Sequence, residues 1–191
     1  MRQLPRCSSL PVITPESLVA AYHALGARPE GKVAIKIHSG ESEKSNNLNP
    51  ALVRDLVQEI GGTLVECATA YDGNRETPEK SLAVFKERGY ADIAPIQIMD
   101  MGGEIEIPVA KHRHIAYDIV GKHIDDYDSI FVLSHFKGHP MGGFGGALKR
   151  VHRHRIVERQ TLDPFRGRGH RPLGGSDKMT SSNRWLKPTK Q

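Results

Sequence analysis

Lys32-Val-Ala-Ile-Lys-Ile-His38, followed by Asn49-Pro-Ala-Leu-Val-Arg-Asp-Leu-Val-Gln-Glu-Ile-Gly-Gly-Thr-Leu-Val-Glu-Cys67, reads as strand, helix and strand. The first run is apolar at Val33, Ile35 and Ile37 and places Lys32, Ala34, Lys36 and His38 on its other face, the two-residue period of a β-strand. Asn49-Pro50 supplies an N-cap and a proline at the first helical position. Leu52, Val53, Leu56, Val57 and Ile60 then fall on one side of a helix, and Gly61-Gly62 ends it. Thr63–Cys67 is a second short strand. Two strands joined through a helix need a crossover, which makes the pair parallel and the connection right-handed.

The same alternation extends in both directions. Upstream, residues 1–12 have no period, while Thr14 can cap a helix with Pro15 at its first position and Leu18, Val19, Tyr22 and Leu25 as an apolar stripe before Gly26. Downstream, the pattern predicts a helix over 77–88 stopped by Gly89 and a strand over 93–99 interrupted by Pro95. It continues with an alternating, edge-like strand over 104–109 and a helix over 117–123. Ser129-Ile-Phe-Val-Leu-Ser134 is the strongest strand of all and reads as buried. The expected fold class is therefore α/β, a mostly parallel or mixed sheet with flanking helices, in one domain over residues 13–149.

The 191 residues carry a net charge of +5 and two cysteines, Cys7 and Cys67. Two cysteines make neither a disulfide framework nor a metal knuckle, and no apolar run approaches the ~20 residues needed to span a bilayer. With no signal peptide either, a soluble cytoplasmic protein with no membrane partner is expected. The charge is unevenly placed. Eleven Lys/Arg and three Asp/Glu follow Lys149, a net of +8, so residues 1–149 carry −3. Residues 150–191 lack periodicity and read as a disordered basic tail. A nucleic-acid role for this tail is disfavoured, because only Phe165 and Trp185 interrupt the charges and no recognition motif is present.

Chemistry-bearing residues concentrate in Ser134-His-Phe-Lys-Gly-His-Pro-Met-Gly-Gly-Phe-Gly-Gly-Ala-Leu-Lys149. Neither common phosphate fingerprint fits: Leu148 precedes Lys149, and Leu148 also stands where the third glycine of GxGxxG belongs. What remains is a backbone at Gly142, Gly143, Gly145 and Gly146 that an anion can approach, with Lys137 and Lys149 to neutralise it. A tight structural turn with solvated lysines is the alternative. His135 and His139 have the spacing of a helical metal pair, but Gly138 and Pro140 oppose a helix, so no metal is assigned. One of them as proton donor or ligand partner is the preferred reading.

Lys36, His38 and Glu41 follow the first strand, while Cys67, Tyr71, Asp72 and Arg75 follow the second. Loops leaving the carboxyl ends of parallel strands share one edge, so these groups can meet the 135–149 segment. Cys67 is a candidate nucleophile or a small core hydrophobe. His112, His114, His152 and His154 form two HxH patterns among basic residues, where solvated exposure is the ordinary explanation.

Three stretches together resemble the family called domain of unknown function 362. They are Gly31-Lys-Val-Ala-Ile-Lys-Ile-His-Ser-Gly40, Val65-Glu-Cys-Ala-Thr-Ala-Tyr71 and the segment Leu133–Lys149. Many members are described as iron–sulfur proteins of unestablished reaction. The resemblance thus implies a ligand or redox site at 135–149 and an iron–sulfur cluster whose ligands this chain does not contain. A non-catalytic anion- or phosphate-binding module is the alternative. The resemblance stops at Lys149, and shifted readings of codons compatible with residues 150–168 and 177–191 can encode family-like continuations. The expectation is a truncated or frameshifted translation beyond that point.

Overall fold

The computed structural model describes residues 12–40, 47–69, 73–110 and 116–134, and the backbone of two short strands at 137–139 and 143–145. The basic tail and the proposed reading-frame break lie outside the described residues.

Helix α1 (Pro15–Ala24) leads into β1 (Val33–Lys36), α2 (Pro50–Ile60), β2 (Thr63–Glu66), α3 (Pro78–Glu87) and β3 (Ile96–Ile98). Strands β4 (Glu104–Pro108) and β5 (Tyr117–Gly121) form an antiparallel pair, and β6 (Ser129–Val132) then returns to the main sheet. That sheet has the order β3-β2-β1-β6, parallel throughout. Last come β7 (Lys137–His139) and β8 (Gly143–Gly145), an antiparallel pair with Gly138 opposite Phe144.

Local chemistry sets the helix ends. Thr14 and Ser17 make a reciprocal capping box, the Asn49 side chain accepts from the Ala51 N–H at 2.9 Å, and the Thr77 hydroxyl accepts from the Lys80 N–H at 3.3 Å. Gly61 closes α2 at φ 70°, the left-handed conformation that favours glycine.

The sheet is covered on both faces. Val33, Ile35 and Ile37 pack with Val53 and Val57 of α2 and Phe85 of α3, and Leu18 of α1 joins them. On the opposite face Ala34, Val65 and Cys67 meet Met99, Val120 and Ile124. Strand β1 is consequently buried along its whole length, and the face carrying Lys36 and His38 is interior rather than solvated.

Two sequence expectations need correction. Residues 117–121 are a strand, followed by a 3₁₀ turn at Lys122–Asp126, where a helix over 117–123 is predicted. The β-branched Ile119 and Val120 pair opposite Glu106 and Ile105, and this tertiary pairing overrides a weak helical pattern. Strand β6, expected to be buried, is half-buried, and among the described residues it pairs with β1 alone. No described helix is long and apolar enough to cross a membrane.

Candidate functional site

The buried end of β1 puts Lys36 one strand away from Glu66, because Lys36 lies opposite Val65 in the parallel register. Both side chains are almost fully excluded from solvent, at 1% and 2% exposure. Lys36 Nζ donates to Glu66 Oε1 and to the Ile37 carbonyl at 3.1 Å. The second carboxylate oxygen, Oε2, accepts from the Ser39 N–H at 3.2 Å and lies 3.7 Å from Arg75 Nη2. Burial alone would raise the Glu66 carboxyl, but the charge of Lys36, then that of Arg75, holds it well below the usual carboxylate value.

Arg75 closes the cluster over His38. Its Nη1 lies 2.9 Å from His38 Nδ1 and 3.5 Å from the Gly40 carbonyl. Guanidinium can only donate, so Nδ1 accepts and the proton of the neutral ring sits on Nε2. The same Nδ1 stands 3.3 Å from Glu66 Oε2, a distance that becomes a hydrogen bond only if Nδ1 is protonated. Protonation would then set two donors, Nδ1–H and Arg75 Nη1–H, against each other.

The sheet thus brings together Lys36, His38 and Arg75, all legible as candidates, around Glu66 and Ser39, which sequence reasoning passed over. A charged residue ending an otherwise apolar buried strand was the available signal for Glu66. Cys67 points into the second core at 4% exposure, among Ala34, Val65 and Met99. Lys137, His139, Gly143 and Gly145 lie on the β7–β8 pair, described as backbone only. His135, Gly142, Gly146, Lys149, Glu41, Tyr71 and Asp72 fall outside the described residues. A separate cleft of about 340 Å³ is lined by Ala68, Thr69, Glu76, Asp100 and Glu104 among others; its three carboxylates disfavour an anion there.

The strand order adds a topological element. From β1 the chain moves outward through β2 and β3, and β6 later pairs on the opposite side of β1. The direction therefore reverses between β1 and β6, with the Lys36–Ser39 segment leaving one strand and the glycine-rich segment leaving the other. Residues 33–163 match the family described as Domain of unknown function (DUF362). The chain belongs to this family. The match begins at β1 and runs past Lys149, so the DUF362 span includes the whole sheet and the glycine-rich segment. No curated protein and no solved structure matches the chain.

An iron–sulfur cluster, implied by the family resemblance, was tested against the donors present. Such clusters are held by cysteine thiolates, as a rule four. This DUF362 chain has two cysteines, and Cys67 is packed in a core. Among the described residues no group of three or more His, Cys, Asp or Glu side chains is placed to hold a metal. The residues present do not fit the cluster.

Proposed function

We propose that this protein binds a small anionic ligand at the carboxyl edge of its parallel sheet, at the strand-order reversal between β1 and β6. One observation carries this reading. The buried cationic cluster of Lys36 and Arg75 lies at the end of the strand that pairs with β6, from which the glycine-rich segment departs. Open α/β sheets bind ligands in the crevice where the strand order reverses, outside the carboxyl ends of the strands. Lys137 and Lys149 would add charge, Gly142, Gly143, Gly145 and Gly146 would let backbone N–H groups approach, and His135 or His139 would donate a proton or hydrogen bond.

Binding is preferred over a redox role because the chain's own cysteines do not fit a cluster. The buried Cys67, in no disulfide, is compatible with a reducing, cytoplasmic setting. Calorimetric titration of the full chain with inorganic phosphate tests the reading, comparing wild type with the double variant Lys137→Ala/Lys149→Ala. Saturable binding weakened by at least about tenfold in the variant, roughly 1.4 kcal/mol, is expected. Equal binding by both proteins, or none by either, overturns it.

A further inference from the structure

We infer that Arg75 and Ser39 are the groups that recognise the ligand, and that what they recognise is an oxyanion, a carboxylate or phosphate. This inference rests on the anion reading above and narrows it to named atoms.

Arg75 is 2% exposed and Ser39 fully buried. The backbone at Arg75 is tightly fixed, its carbonyl accepting from the Thr69 N–H at 2.8 Å and from the Ser81 hydroxyl at 3.1 Å. The guanidinium is therefore held in place by the folded chain rather than steered by solvent. Of its nitrogens, Nη1 is engaged by His38 and Gly40. Nη2 faces Glu66 Oε2 at 3.7 Å, an ion pair too long for a hydrogen bond. Among the described residues Nε has no hydrogen-bond partner.

The geometry of what is left over selects the ligand. The N–H bonds of Nε and Nη2 are parallel and form the side-on fork that matches two oxygens of a carboxylate or phosphate. That fork is the edge of Arg75 left without a hydrogen bond. The Ser39 hydroxyl is likewise buried and, among the described residues, without a hydrogen-bond partner. Ser39 and Arg75 converge on one atom, since the Ser39 N–H and Arg75 Nη2 both face Glu66 Oε2. Two buried donors without partners, on two residues that flank one carboxylate oxygen, are rare in folded proteins, where buried polar groups are nearly always paired. Glu66 already accepts from Lys36 and from the Ser39 backbone, so a second oxyanion is the acceptor that satisfies both remaining donors.

The test is ¹⁵N NMR of the arginine Nε–H groups in the full chain, titrated separately with inorganic phosphate and with succinate at constant ionic strength. The Arg75 resonance is identified by its loss in Arg75→Lys. A saturable shift of that resonance is expected, with affinity weakened by at least about tenfold in Arg75→Lys, which keeps the charge and loses the fork. Saturation by phosphate alone or by succinate alone supports the site and decides between the two oxyanions. Ser39→Ala removes one hydroxyl and is the arm least able to disturb folding; it is expected to weaken binding several-fold. Undiminished anion binding in Ser39→Ala with an unmoved Arg75 Nε–H overturns this inference while leaving the broader anion reading intact. No binding of either probe to wild type removes both.

Discussion

At the scale of single residues, Glu66 sets the energetics of the site. It is a buried carboxylate shared by Lys36, Arg75 and the Ser39 N–H. Removing one partner of a buried charged cluster costs about 3–5 kcal/mol, because the remaining charges keep their desolvation penalty and lose their compensation. Glu66→Gln is therefore expected to lower the urea unfolding free energy by about that amount. A loss below about 1 kcal/mol would mean that the cluster is solvated in solution. The same carboxylate gives a direction in pH. Its folded pKa lies well below the ordinary 4.5, so between the two values the unfolded chain binds the extra proton. The contribution of Glu66 is complete above roughly 4.5 and disappears as the pH falls through the folded value. Thermal midpoints measured downward from neutral pH should fall in that acidic window, and less steeply in Glu66→Gln. Equal acid sensitivity in the two proteins would assign the effect to other carboxylates.

At the scale of elements, helices α1, α2 and α3 were legible, while strand β5 and the β7–β8 pair were not. Thr14, Asn49 and Thr77 announce their helices because an N-cap acts within three residues of itself, a range that sequence preserves. Thr14→Ala should cost about 1 kcal/mol, read as a lower thermal midpoint. An unchanged midpoint would mean that α1 adds little to the stability of the fold. Strand β5 depends on something sequence does not display, its antiparallel partner β4. Gly121 shows why. A Cβ there would stand 2.4 Å from the Met99 carbonyl carbon and oxygen, so the end of β5 passes directly against the turn after β3. Gly121→Ala is expected to destabilise by about 1–3 kcal/mol through this overpacking, more than loss of the half-buried Thr14 cap. If Gly121→Ala unfolds at the same urea concentration as wild type, the approach of β5 to Met99 is looser than described.

At the scale of the whole molecule, alternating strands and helices were enough to give a parallel α/β sheet, and the rule about carboxyl edges was enough to gather Lys36, His38 and Arg75. Glu66 was hidden because its role requires β1 beside β2 in one particular register, a long-range fact. The half-burial of β6 was hidden for the same reason: an apolar run looks identical whether its neighbours cover it fully or in part. The reach of the folded unit shows the same dependence on packing. Helix α1 lies upstream of the family-matched residues 33–163. It nevertheless docks on the sheet, with Tyr22 buried and its ring 5.6 Å from that of Phe131 on β6 in an edge-to-face arrangement. An aromatic pair of this geometry is worth about 0.5–1.5 kcal/mol beyond the area it buries. A double-mutant cycle with Tyr22→Ala and Phe131→Ala should return a coupling in that range, since the two residues touch and their effects cannot simply add. Strict additivity would show that α1 is not docked on β6 in solution and would confine the cooperative unit to the family span.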